Sequence, residues 1–163
     1  MYLLDTGMLF DLREARRAST DPALALWAER IPAEQMFLSA LTLLELENAA
    51  AVAARRAKDL GLAWRAWLDG QVLPAFEARV LPVDAAVIRR RAQLPYADDR
   101  EGVLAATALV HNLTLVTSET RKYRAGRVKL LDPARFEPEG DDDADWREAT
   151  RSGAAWLKNL LIR

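Results

Sequence analysis

The sequence predicts an α/β protein with three layers, α/β/α, in which helices cover both faces of a central parallel sheet. Short apolar segments of strand length alternate with longer segments of helical period, an order typical of parallel sheets. Of the 163 residues, 51% are hydrophobic and 29% are charged, which suits one domain with a core and a polar surface.

Composition excludes several kinds of protein. The chain has no cysteine, so it has neither disulfides nor thiolate metal sites, and a cytoplasmic location is expected. With a single histidine, zinc is disfavoured as well, because zinc prefers several nitrogen or sulfur ligands. No apolar run approaches the roughly 18 residues that cross a membrane, so no membrane association is expected.

The first part of the chain is predicted to hold two strands and four helices. The strands are MYLLD, which stops at Asp5, and MFLSA. The helices are expected at Met8–Ala18, at DPALALWAERI with Asp21 as N-cap and Pro22 at its first position, from Leu41 past Arg55, and around Leu62 and Trp64 to an end near Gly70.

The second part is predicted to add three strands and two helices. The strands are RVLPVD, LTLVT and VKLL. One helix, AAVIRRRAQL, is stopped by Pro95. The other runs from about Asp99 to Val110, with Asp98 or Asp99 as its N-cap and Asn112 as a left-handed C-cap.

The C-terminal residues differ from the rest in composition. Residues 137–145, EPEGDDDAD, are mostly acidic and cannot bury apolar area, which predicts a solvated linker. Residues 146–163 regain a helical period with an apolar face, which predicts an amphipathic helix. The α/β domain itself is therefore assigned to residues 1–136.

Four carboxylates are expected near one edge of the sheet. In parallel sheets, ligands bind beyond the carboxyl ends of the strands. Asp5 ends the first strand, Glu119 follows LTLVT, and Glu45 and Glu101 lie near the starts of helices. Clustered carboxylates repel one another unless cations lie between them, and Mg²⁺ or Mn²⁺ suits oxygen ligands. The pattern therefore favours a site for one or two of these ions.

Four ordered blocks of the sequence resemble those of PIN-domain proteins, and the likeness is greatest to the VapC/FitB group of toxin–antitoxin ribonucleases. The blocks are LLDTG, LSALTLLELE, GVLAATALVHNLTLVTSE and VKLLDP, and they extend over about residues 1–133. The resemblance implies a PIN-like fold and an Mg²⁺- or Mn²⁺-dependent endoribonuclease that acts as a toxin. It also implies RNA as substrate, a VapB-like antitoxin as partner, and a homodimer.

By position, the resemblance makes Asp5, Glu45, Glu101 and Glu119 the catalytic metal ligands. The sequence departs from the family pattern at three places around this site. Glu101 stands where the family usually has Asp, Gly7 where it has Asn, and Glu119 where it has Asp or Asn. A second hypothesis is therefore a PIN-fold protein with impaired catalysis that acts by binding a protein or RNA.

Neighbouring residues are given supporting roles. Asp99 is an alternative ligand, and Arg100 is expected to pair with a neighbouring acid. Thr42 and Ser39 either orient ligands or begin the helix that carries Glu45. The candidates for phosphate contacts are Arg55, Arg56, Lys58, Arg121, Lys122 and Arg124.

Overall fold

The computed structural model describes residues 1–14 and 22–135, and these form a five-stranded sheet covered by helices. All strand pairs are parallel, in the order β3-β2-β1-β4-β5. The strands are β1 (Tyr2–Leu4), β2 (Met36–Ser39), β3 (Val80–Leu81), β4 (Thr114–Val116) and β5 (Leu130–Leu131). The predicted α/β fold class and all five predicted strands are confirmed.

Helices follow the strands along the chain and cross over to the next one. They are α1 (Thr6–Glu14), α2 (Pro22–Arg30), α3 (Ala40–Arg56), α4 (Lys58–Trp67), α5 (Leu73–Ala75), α6 (Ala85–Arg91), α7 (Asp99–Val110) and α8 (Thr120–Tyr123). The predicted caps of α7 are confirmed. The Asp98 side chain accepts hydrogen bonds at its N-terminus, and Asn112 has the left-handed φ of 52° just after its C-terminus.

Three predicted helix boundaries are wrong. The helix expected to run through AAVIRRRAQL to Pro95 ends at Arg91, because the amides of Gln93 and Leu94 donate to carbonyls three residues back, in turns rather than in an α-helix. Helix α1 begins at Thr6 rather than Met8, because the amide of Met8 donates to the carbonyl of Asp5 directly after β1. The helix expected to end near Gly70 continues through a π turn, Leu68–Val72, into α5. Burial of both ends of that turn outweighs the cost of about 1 kcal/mol for a glycine in a helix.

The sheet separates two apolar clusters, one on each face. Successive strand residues point to opposite faces, so Leu4 of β1 joins one cluster and Leu3 the other. The first cluster contains side chains of α1, α2 and α3, with Trp27 fully buried at its centre. The second contains side chains of α7 together with Tyr96 and Tyr123. The three-layer arrangement follows from this division.

The strand order places a topological switch point between β1 and β4. The chain builds the sheet from β1 toward β3 on one side and then returns to add β4 and β5 on the other. Crossover helices leave the two central strands in opposite directions there, which opens a crevice at their carboxyl ends. Asp5 follows β1 at this point, and its amide donates to the carbonyl of Val116 at the end of β4 over 3.1 Å.

Several predictions fall outside the described residues. They are the N-cap at Asp21, the end of the first helix beyond residue 14, the acidic linker 137–145 and the C-terminal helix 146–163. Within the described ranges, no helix is long and apolar enough to cross a membrane.

Candidate functional site

Asp5 and Glu45 converge at the switch point although they are distant in the sequence. Asp5 follows β1 and is only 2% exposed. Glu45 lies in the second turn of α3, the helix that follows the neighbouring strand β2, and its side chain is half-buried. Because β1 and β2 are parallel neighbours, the residues after each strand meet at the same edge, as predicted.

One guanidinium lies between these two carboxylates. Arg100, in the first turn of α7, donates from Nη2 to Oδ1 of Asp5 over 2.7 Å and from Nε to Oε1 of Glu45. Burial opposes its charge, but the hydrogen bond to Glu45 and the charges of Asp5 and Glu45 raise the pKa of Arg100 above its ordinary value. The expected pairing of Arg100 with an acid is confirmed.

Two buried hydroxyls orient the same carboxylates. Thr117 Oγ1, just beyond β4, donates to Oδ2 of Asp5 over 3.0 Å. Thr6 Oγ1 donates to Oε2 of Glu45. Thr117 was not among the predicted site residues. Its sequence signal is a hydroxyl at the end of LTLVT, the strand that pairs with the strand before Asp5.

The hydroxyls predicted from the start of α3 behave differently. Ser39 caps α3, since its Oγ accepts from the amide of Leu41 over 3.2 Å. The buried Oγ1 of Thr42 has no hydrogen-bond partner within the part of the chain that the structure describes. Of the two roles considered for this pair, Ser39 takes the helix-start role.

Glu101 and Glu119 lie at the margin of the site. Glu101 is in the first turn of α7, and its amide donates to Oδ1 of Asp98 over 3.2 Å. Glu119 precedes α8 and forms an ion pair of 2.6 Å with Lys122. The hydrogen bond to Glu119 raises the pKa of Lys122, and the negative charge of Glu101 adds to this effect. Both carboxylates therefore stabilise the positive charge of Lys122 on α8.

The metal ligation predicted for the four acids stays a prediction. Across residues 1–14 and 22–135, no three acidic or histidine side chains are grouped closely enough to hold a metal ion. Asp99, the alternative ligand, instead pairs with Arg91 over 2.9 Å on the surface. Gly7 stands in open space, since a Cβ built there meets no atom within 4 Å.

Tyr123 is a residue of the site that sequence reasoning missed. It ends α8, is fully buried, and its hydroxyl has no hydrogen-bond partner among the described residues. Burial raises the pKa of Tyr123 well above its ordinary value, and the negative charges of Asp5, Glu101 and Glu119 raise it further. The phenol therefore lies under the electrostatic influence of three of the four acids.

The candidate phosphate ligands fall into two groups. Arg121, Lys122 and Arg124 lie on or just after α8, close to Glu119. Arg55 and Arg56 end α3 and Lys58 begins α4. At 1.5 Å rise per residue, the end of α3 is roughly 16 Å from Glu45. Only the first group borders the acidic residues.

Comparisons with known proteins agree with this architecture. The model of the PIN domain family matches residues 2–128. The chain is 30% identical over 142 residues to the VapC ribonuclease Y4jK of Sinorhizobium fredii, covering 82% of this chain and 97% of that protein. It is 32% identical over 141 residues to the toxin FitB of Neisseria gonorrhoeae, covering 82% and 98%.

Solved structures give the same result. A crystal structure of FitAcB from Neisseria gonorrhoeae superposes with a TM-score of 0.74 at 29% identity, over 83% of this chain and all of the other. A toxin–antitoxin complex from Klebsiella pneumoniae superposes with a TM-score of 0.54 at 25% identity, over 82% and 98%. The resemblance seen in the sequence is confirmed.

Proposed function

This chain belongs to the PIN domain family, and from that premise we propose that it is a metal-dependent endoribonuclease, the toxin of a toxin–antitoxin pair. It hydrolyses phosphodiesters of RNA and leaves a 5′-phosphate and a 3′-hydroxyl. The relatives named VapC ribonuclease and toxin FitB support the activity and the toxin role, and each is covered over nearly its whole length.

The observation that carries the proposal is the convergence of Asp5 and Glu45 on one cation at the switch point. Their carboxylates come from elements that follow neighbouring strands, and both bind the guanidinium of Arg100. Two ionised carboxylates repel each other, and a positive charge between them offsets that repulsion. A divalent cation would bind the same pair of carboxylates in the place of the guanidinium.

The donor set suits Mg²⁺ or Mn²⁺, because it consists of carboxylate oxygens without sulfur or imidazole. Asp5 and Glu45 would hold the ion, with Glu101 and Glu119 as further ligands. The ion would supply a Lewis acid that activates water and stabilises charge on the phosphodiester. The guanidinium of Arg100 lies between the two inner carboxylates, so its side chain has to move for this binding.

The chain's own residues supply orientation and substrate contacts. Thr117 and Thr6 hold the carboxylates of Asp5 and Glu45 in fixed directions through buried hydrogen bonds. Cationic side chains on α8, among them Lys122, which pairs with Glu119, suit the phosphates of an RNA backbone. Without histidine nearby, proton transfer falls to water and the carboxylates.

The proposal extends to partners. The family resemblance and the neighbouring toxin–antitoxin complex support an antitoxin of the VapB type that binds this chain. Action in the cytoplasm belongs to the same proposal, since RNA is the substrate, and the family resemblance supports a homodimer. The segment 137–163 is proposed to be an acidic linker and an amphipathic helix appended to the PIN domain.

The test is cleavage of a structured RNA by the purified protein. We expect cleavage with Mg²⁺ or Mn²⁺, none in EDTA, and products with 5′-phosphate ends. Asp5→Asn and Glu45→Gln should each abolish cleavage. Glu47→Gln is the matched control, because Glu47 lies on the same helix and pairs with Arg65 outside the site over 2.8 Å. Cleavage that persists in EDTA would exclude the metal-dependent reaction.

A second candidate function is binding without catalysis. It is favoured by the ion pairs of Arg100, whose guanidinium already occupies the space between Asp5 and Glu45, and by Gly7 in place of a polar residue. A protein of this kind would bind RNA or an antitoxin but would not bind Mn²⁺. Calorimetric titration with Mn²⁺ separates the two functions, since only the nuclease should bind the ion and lose that binding with Asp5→Ala.

A further inference from the structure

The acid site contains its own cation, and this leads to an inference that rests on the proposed function. We propose that Arg100 is a positioning residue that holds Asp5 and Glu45 in the absence of metal and competes with a divalent cation for them. Mg²⁺ or Mn²⁺ then binds only when the guanidinium leaves the space between the two carboxylates.

The hydrogen bonds of the two carboxylates carry the argument. Each of their four oxygens already accepts a hydrogen bond. Oδ1 of Asp5 and Oε1 of Glu45 accept from Arg100, Oδ2 of Asp5 accepts from Thr117, and Oε2 of Glu45 accepts from Thr6. Oδ1 of Asp5 and Oε1 of Glu45 share one partner, the guanidinium of Arg100. An ion shared by both carboxylates has to occupy the space of the guanidinium.

The guanidinium of Arg100 and an ion that bridges the two carboxylates compete for the same space between these oxygens. Mg²⁺ binds carboxylate oxygens at about 2.0–2.1 Å and demands near-octahedral geometry, which leaves no room for a planar guanidinium. Two positive groups would also repel each other across a few ångströms in a half-buried site. Binding of the ion and release of Arg100 are therefore one exchange.

Arg100 is placed so that it can leave. Its side chain is 32% exposed, while that of Asp5 is 3% exposed, so the guanidinium lies on the solvent side of the pair. The start of α7 does not depend on this side chain, because Asp98 caps the helix through the amides of Arg100 and Glu101. Displacing the guanidinium therefore leaves the helix and the position of Glu101 intact.

If this exchange occurs, loss of Arg100 should lower the stability of the metal-free protein but raise the affinity of the protein for metal. Without metal, loss of Arg100 leaves Asp5 and Glu45 as a repelling pair, which lowers stability. With metal, loss of Arg100 removes a competitor, which raises affinity. A residue with a purely structural role would lower stability and leave the affinity for metal unchanged or weaker.

The experiment is calorimetric titration of the full chain with Mn²⁺ in metal-free buffer, together with thermal melting with and without Mn²⁺. The variants are Arg100→Gln, which keeps a polar side chain, and Arg100→Lys, which keeps the charge. Arg89→Ala is the control, because it removes one positive charge from an exposed position on α6. Circular dichroism verifies that each variant is folded.

We expect Arg100→Gln to melt at a lower temperature without Mn²⁺, to bind Mn²⁺ at least tenfold more tightly, and to gain more melting temperature on binding. Arg100→Lys should lie between Arg100→Gln and the parent, and Arg89→Ala should match the parent. If the parent binds Mn²⁺ and Arg100→Gln binds it equally or less tightly, the competition is refuted while the metal-dependent function stands. If neither binds Mn²⁺, both are refuted.

Discussion

Tyr96 and Tyr123 pack against each other with ring centroids 6.3 Å apart, yet their hydroxyls have opposite environments. The hydroxyl of Tyr96 donates to the carbonyl of Tyr123 over 2.7 Å and accepts from the amide of Gly126 over 3.1 Å. The hydroxyl of Tyr123 is buried and has no partner among the described residues. Replacing each tyrosine by phenylalanine should therefore change stability in opposite directions.

The magnitudes follow from the partners that each substitution removes. Tyr123→Phe removes a buried polar atom without a hydrogen bond, whose burial costs about 1–3 kcal/mol, so the free energy of unfolding should rise by about 1 kcal/mol after lost packing is subtracted. Tyr96→Phe leaves a buried amide and a buried carbonyl without this partner and should lower the free energy of unfolding by about 1–3 kcal/mol.

The assay is equilibrium urea unfolding at pH 7, followed by circular dichroism, with the two variants and the parent measured side by side. The two variants lose the same atom from neighbouring rings, so each controls for the general effect of the substitution. If Tyr123→Phe destabilises the protein as much as Tyr96→Phe does, the hydroxyl of Tyr123 has a partner in the folded state. The reasoning from the unpaired hydroxyl would then be wrong.

Three further results are expected. Burial raises the pKa of Tyr123, so the folded chain keeps a proton that the unfolded chain loses. The resulting contribution to the free energy of unfolding is complete below about pH 10 and falls by up to about 1.4 kcal/mol per pH unit above it. Tyr123→Phe should reduce this loss, measured by urea unfolding between pH 8 and 11. Gly61→Ala should lower the melting temperature, because its Cβ would lie 2.5 Å from Cα of Ala54, whereas Gly70→Ala, with open space around it, should not. Deletion of residues 137–163 should leave a cooperative thermal transition, because both described apolar clusters lie before residue 136.

Each of these expectations has a contrary outcome. An equal alkaline loss in the parent and in Tyr123→Phe would assign that loss to other groups. Equal melting temperatures for Gly61→Ala and the parent would show that α3 and α4 separate at little cost. A truncated protein that is insoluble or lacks a cooperative transition would make residues 137–163 part of the folded core.

Local features of this protein were predictable from sequence because short-range interactions produce them. The apolar runs around Leu3 and Leu115 predict buried strands, and Asp98 predicts a cap, since both depend on residues within one turn or one strand. The edge shared by Asp5 and Glu45 was also predictable, because parallel strands place their carboxyl ends together. The sequence alone therefore led to the fold and to the inner acid pair.

Tertiary packing decided what periodicity and motif spacing do not encode. Arg100 binds acids that are 95 and 55 residues away, and its choice of Asp5 and Glu45 depends on how α7 lies across the sheet. The buried hydroxyl of Tyr123 and the continuation of α4 past Gly70 likewise depend on contacts with other elements. Such contacts form only when the crossover connections bring these elements together, since charge and burial act through space rather than along the chain.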